Sequence, residues 1–113
     1  MDFKKVKIEV YIPEEYRDKL REALNDIGVL GVGNYDNVMS VTKVTGYWRP
    51  LKNANPFDGE INKLSKASED KIEFATDIKN IENLVKVIKE VHPYEEPVIN
   101  IIPLISDRFD LDF

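Results

Sequence analysis

The sequence predicts an α+β fold of order β-α-β-β-α-β: a four-stranded antiparallel sheet with both helices on one face and its middle strands drawn out into long arms. Three features carry the expectation. The first strand alternates strictly between apolar and polar residues, two later segments repeat apolar residues at helical spacing, and a nearly continuous apolar run lies close to the C-terminus.

The first strand is read from Val6, Ile8, Val10 and Ile12, which alternate with Lys7, Glu9 and Tyr11 at the period of a half-buried strand. Pro13 fits the opening of a helix, where its missing N–H costs no bond, and Glu14 and Glu15 suit the positive end of the helix dipole. Tyr16, Leu20, Ala23, Leu24 and Ile27 share one helical face, and Gly28 is placed to end it. A turn at Gly31-Val32-Gly33-Asn34 leads into a long strand over Asn34 to Trp48, rich in Val, Thr and Tyr. Arg49 to Gly59 is the longest irregular stretch, and Ile61 to Thr76 reads as a second arm on which Ile72, Phe74 and Thr76 share a face. Asp77 is the expected N-cap of a second helix carrying Ile81, Leu84, Val85, Ile88 and Val91, and Pro93 stops it. The last strand, Val98 to Leu104, is apolar except for Asn100. That continuity predicts a strand in the middle of the sheet, buried on both faces or covered by a partner chain, and a sheet whose second face is apolar enough to be covered by association.

A chain of 113 residues holds one domain with its own core, expected over 1–105 with a C-terminal tail at 106–113. Hydrophobic residues at 42% and charged residues at 33% place it among globular proteins, and no apolar run approaches a bilayer span. The segment Met1-Asp2-Phe3-Lys4-Lys5 lacks the apolar stretch of a secretory signal, which with the absence of cysteine predicts a cytoplasmic location. A net charge of −5 argues against nucleic acid as a partner, because phosphate binding concentrates positive charge. Without cysteine there are no thiolate zinc sites, Fe–S clusters or thiol nucleophiles, and a single histidine excludes every motif that needs two. No catalytic constellation is visible, so the expectation is a protein that is not an enzyme.

The densest cluster of chemistry-bearing residues is His92-Pro93-Tyr94-Glu95-Glu96-Pro97, at the step from helix to strand. His92 with Glu95 offers imidazole and carboxylate to a divalent metal ion. The alternative is that His92 ends the helix, its ring bonding a C-terminal carbonyl. Tyr94 reads as a packed ring with a satisfied hydroxyl. Glu95 and Glu96, being adjacent, point to opposite sides of an extended chain and do not form an acid–base pair. Trp48 and Arg49 are suited either to stacking and pairing with a phosphate-bearing ligand or to anchoring an interface beside Asn55 and Pro56. Tyr35 and Asp36, with Asn34, shape a turn in which Asn takes left-handed geometry, and with Trp48, Arg49, Asn55, Pro56, His92 and Tyr94 they are the candidates for an interface or ligand pocket. Lys63 to Lys71 reads as a solvated arm. Phe109, Leu111 and Phe113 alternate in the tail, as expected either of a disordered terminus or of a short strand added to a neighbouring sheet edge.

Three segments in order, Gly33-Asn34-Tyr35-Asp36, then Trp48-Arg49-Pro50-Leu51 with Asn53-Ala54-Asn55-Pro56-Phe57-Asp58-Gly59-Glu60, then His92-Pro93-Tyr94-Glu95-Glu96-Pro97, resemble one module. It is the CutA-like insert domain of the Nif-three-like (NGG-interacting-factor-like) family, and the resemblance covers roughly residues 4 to 104. The His-Pro-Tyr-Glu string alone also resembles CutA, a trimeric protein associated with divalent-cation tolerance. The resemblance implies a ferredoxin-like fold of the CutA/PII type and assembly into a homo-oligomer, most simply a trimer. It implies no dinuclear metal site, because in that family the metal ligands sit in flanking core halves that this sequence does not contain. Val44 stands where the family has a glycine, Met39 where a small residue or cysteine is common, and Ile99-Asn100 where a Tyr-Asp pair precedes Ile101. The resulting expectation is a self-associating regulatory or scaffolding domain that engages itself or another protein, with the long central arms and loop 49–59 building the subunit interface. The alternative is a binder of a divalent metal or small ligand.

Overall fold

The computed structural model describes residues 3–105; the expectation for the tail lies outside them. Its elements are β1 (Lys5–Ile12), α1 (Arg17–Asp26), β2 (Ser40–Trp48), β3 (Ser65–Asp77), α2 (Ile81–Val91) and β4 (Ile99–Leu104), with a 3₁₀ turn leading into each helix. The strands form one antiparallel sheet in the order β2-β3-β1-β4. This is the expected α+β arrangement.

The alternation in β1 becomes the core. Val6, Ile8, Val10 and Ile12 are buried and face α1 and α2, while Ile72 and Phe74 of β3 stand opposite Val10 and Ile8. Leu20, Leu24, Leu84 and Ile88 close the helical side. Each such side chain, fully withdrawn from water, contributes about 1.5–3 kcal/mol. Gly28, at φ 82°, ends α1 as expected, since a left-handed residue there costs glycine little.

β3 is longer than β1 and pairs with it only from Asp70 to Asp77, while β2 pairs with β3 from Ser65 to Glu73. The remaining part of the β2–β3 ladder therefore projects past the sheet as a two-stranded arm, and the molecule measures 49 × 30 × 23 Å. The connection after Trp48 is irregular through Leu64.

Several expectations are corrected. β4 is an edge strand paired only with β1, not a central one, and it is mostly exposed, with Ile101 and Ile102 each at 40%. The face of the sheet away from the helices is not apolar. It carries a lattice of ion pairs, Lys7–Glu73 at 2.5 Å, Lys71–Glu73 at 3.1 Å and Lys5–Asp77 at 3.0 Å, and such a face is at ease in water. Asp77 sits at the entry of the turn before α2, but its carboxylate pairs with Lys5 and makes no side-chain cap. β2 begins at Ser40, not at Asn34, because Val32 and Tyr35 exchange backbone bonds of 2.8 and 2.9 Å across a tight turn. The left-handed positions there are Gly33 and Asn37, not Asn34. Finally, Lys63 to Lys71 is not solvated throughout, since Glu69 and Asp70 are buried.

Candidate functional site

α2 ends because His92 takes an extended conformation (φ −67°, ψ 131°), the one imposed on a residue that precedes proline. The turn at 92–97 then brings the side chains of this segment back beneath the root of the arm. His92 is buried. Its Nε2 lies 2.6 Å from the Tyr11 carbonyl, and its Nδ1 accepts the Tyr94 N–H at 3.1 Å. A ring that accepts at Nδ1 and faces a carbonyl at Nε2 is the neutral tautomer protonated on Nε2. Burial pushes its pKa below the ordinary value, with the Tyr11 carbonyl and Glu69 opposing. The carbonyl it binds thus belongs to β1, not to the helix end, and an ion at His92 would require one of these two bonds to open.

Tyr94 is the centre of an aromatic cluster. Its ring lies 4.8 Å from His92, 6.1 Å from Phe57 and 6.2 Å from Trp48, and Phe57 meets Tyr16 edge-on at 5.9 Å. The Tyr94 hydroxyl donates to Glu69 Oε2 at 2.8 Å. Burial, with Glu69 next, pushes that phenol well above its usual range, so it acts as a donor and not as a base. The loop after β2 is fastened over the cluster by two bonds. The Trp48 indole N–H donates to the Asp58 carbonyl at 3.0 Å, and the Asn55 N–H donates to Glu95 Oε1 at 3.1 Å. Gly59 permits the closure at φ 100°; a Cβ there would meet Ser65 Oγ at 2.7 Å.

Between this loop, the arm and the 92–97 turn lies a cleft of about 930 Å³. Of the residues singled out in the sequence, Trp48, Arg49, Pro56, Tyr94 and Glu95 line it. His92 stands behind Tyr94, and Asn55 contributes its backbone N–H to the loop closure. Tyr35 and Asp36 are not brought here. They belong to the α1–β2 connection, where Asp36 accepts from Asn37 Nδ2 at 3.0 Å and from Asn25 Nδ2 at 3.4 Å. Glu95 and Glu96 both border the cleft, because the segment turns instead of running extended. Among the described residues, no group of three or more His, Cys, Asp or Glu side chains is arranged to hold a metal ion.

Glu69 and Gly46 of the cleft, and the Asp70 network beside it, carry no motif in the sequence. Asp70, fully buried, takes Arg17 on Oδ2 at 2.9 Å and Lys43 on Oδ1 at 2.8 Å; the Lys43 contact is a close ion pair without hydrogen-bond alignment. Lys43 also meets Glu14 at 2.6 Å, so this network ties α1 to the base of the arm. On the opposite side Glu69 lies across Gly46, where an added Cβ would overlap Glu69 Oε1. The sequence did hold one signal for this, since a glycine inside a strand marks close approach by another group.

No family model matches the chain. A Staphylococcus aureus (strain Mu50 / ATCC 700699) protein named GTP cyclohydrolase 1 type 2 homolog is 33% identical over 98 residues, which are 87% of this chain and 27% of that protein. The chain therefore spans about a quarter of the length of the curated relatives it matches. Among solved structures, a Bacillus cereus protein related to NIF3 superposes with a TM-score of 0.78 at 25% identity, over 90% of this chain and 26% of the other. CutA from Synechococcus elongatus PCC7942 gives 0.68 at 15% identity over 97% and 88% of the two chains. Arabidopsis thaliana PII bound to citrate gives 0.62 at 19% over 91% and 77%. The CutA and PII likenesses are of fold. Together these matches bear out the resemblance to the CutA-like insert domain of the Nif-three-like family: NIF3-related proteins match over a limited segment, and CutA matches over nearly its whole length.

Proposed function

We propose that this chain is a non-enzymatic, self-associating domain with a regulatory or scaffolding role, assembling as a homo-oligomer in a cytoplasmic setting. The observation that carries the reading is β4. An edge strand presents unpaired backbone groups, and proteins that stay monomeric blunt such edges with charge. β4 does the opposite, presenting Ile101 and Ile102, with Val98 and Ile105 beside them at 53% and 52% exposure. Pro103 interrupts pairing only near the end of the strand. Exposed apolar residues of this density on a free edge are stabilised when a second chain covers them. A trimer is the stoichiometry that the CutA resemblance suggests, and the cysteine-free composition supports the cytoplasmic setting.

Support for a non-enzymatic role comes from the cleft's own residues. Tyr94 is held as a hydrogen-bond donor to Glu69, and both His92 nitrogens face structural partners. The test is native mass spectrometry of the purified protein from nanomolar to micromolar concentration. A concentration-dependent oligomer, with trimer as the expected mass, is the predicted result, and a monomer throughout would refute the reading.

A further inference from the structure

Glu69 and Asp70 are consecutive buried carboxylates with opposite surroundings. Asp70 has two cations within 3 Å. Glu69, only 6% exposed, has no lysine, arginine or histidine within ion-pair distance among the described residues. Its Oε2 accepts the Tyr94 hydroxyl, and its Oε1, lying over Gly46, has no hydrogen-bond partner among the described residues. All but this edge of Glu69 is withdrawn from water, and a carboxylate so placed is ordinarily paired with a cation. Both Glu69 and Gly46 line the cleft, so the open oxygen is presented where a ligand can reach it. The same cleft is walled by the rings of Trp48 and Tyr94, and its carboxylates Asp58, Glu69, Glu95 and Glu96 outnumber its cations Arg49 and Lys52.

We propose that this cleft binds a small organic ammonium ion, paired with Glu69 Oε1 and packed against the faces of Trp48 and Tyr94. Aromatic walls around a carboxylate are the usual means of holding a protonated or methylated amine, since ring quadrupole and negative charge attract the same cation. Gly46 is part of the design: any side chain there would displace the Glu69 head. The assignment is independent of self-association.

Trp48 is the one tryptophan in the sequence and lies in the cleft, so its fluorescence reports on the site directly. The probes are n-butylammonium chloride and tetramethylammonium chloride, with sodium butyrate and sodium chloride at matched ionic strength as controls. The expected result is a saturable change with the ammonium salts alone, weakened about tenfold or more in Glu69→Gln, the order expected when one charge-assisted contact is removed. Glu69→Gln preserves the shape of the side chain and an acceptor for Tyr94. Should it fail to fold, Trp48→Leu read by isothermal titration calorimetry provides the second check: it removes an aromatic wall and keeps the carboxylate, tetramethylammonium binding is expected to weaken severalfold, and undiminished binding would overturn the proposal. No saturable response in the wild type, an undiminished response in Glu69→Gln, or equal binding of butyrate would overturn the proposal. So would a Glu69→Gln variant that loses self-association while the wild type ignores amines, because the missing cation would then be a side chain of a second copy. A monomer that binds the ammonium ions would instead sink the assembly reading and leave this one standing.

Discussion

β1 and β4 are neighbours in the sheet, both rich in β-branched residues, and the chain treats them in opposite ways. β1 hides Val6, Ile8, Val10 and Ile12 under the helices and turns Lys7 and Glu9 outward into ion pairs. β4 sets Ile99 and Ile101 opposite Val10 and Ile8, but its other face presents Asn100 and Ile102, and nothing among the described residues covers its free edge. Strict alternation thus reports a strand whose burial is completed within the chain. A continuous apolar run reports a strand whose burial is not. The same contrast recurs at the root of the arm, where Asp70 has counter-charges from within the chain and Glu69 has none among the described residues.

The largest effect that would sharpen this contrast is expected from truncating the two strands in turn. Ile8→Ala should cost about 2–5 kcal/mol, the usual range for a cavity in a closed core, at any protein concentration. Ile102→Ala should cost about 1 kcal/mol or less in dilute protein, because the side chain is already 40% exposed there. Its cost should grow with concentration, as mass action links stability to association. Urea unfolding at several concentrations checks both, and equal, concentration-independent costs would break the comparison.

A smaller effect separates the two carboxylates. Asp70→Asn weakens contacts to Arg17 and Lys43 and should cost about 1–3 kcal/mol. Glu69→Gln gives up no ion pair and keeps an acceptor for Tyr94, so it should stay within about 0.5 kcal/mol of the wild type. If chemical denaturation ranked them the other way, Glu69 would have a counter-charge that the structure does not show.

The smallest effects are those of pH. His92 is held below its ordinary value of 6.5, chiefly by burial. Between its lowered value and 6.5 the unfolded chain therefore binds more protons than the folded one, and stability should fall as pH drops through that window. His92→Asn should remove this component. Tyr94 is shifted upward, again chiefly by burial, so above its ordinary value of 10.0 the unfolded phenol loses its proton first and stability should fall as pH rises. Thermal melts of the wild type and Tyr94→Phe across the alkaline range would show the difference disappear.

Much of this fold was legible in the sequence because it rests on local periodicity. The β1 alternation, the faces of α1 and α2, the Gly28 stop and the stop before Pro93 were read from residues that act within one element. What local pattern does not report is tertiary. An apolar run suits a covered edge as well as a central strand, so the pattern of β4 does not distinguish the edge it occupies from the middle of the sheet. Asp77 looked like a cap because the competing Lys5 lies on a strand far away in sequence. Glu69 and Asp70 sat inside a charge run that reads as solvated, and only the crossing of the arm over α1 and the 92–97 turn buries them. The cleft itself was half legible. Trp48, Arg49, Pro56, Tyr94 and Glu95 were singled out and do meet there, whereas Tyr35 and Asp36 share their segment's family likeness without sharing its location.

The central claim is that β4 is finished by a second copy of the chain, and sedimentation velocity of the wild type beside Ile102→Lys tests it most directly. The account predicts an oligomer at micromolar concentration for the wild type and a folded monomer for the variant, with unchanged far-ultraviolet circular dichroism. A monomeric wild type, or a variant that assembles as well as the wild type, would contradict it.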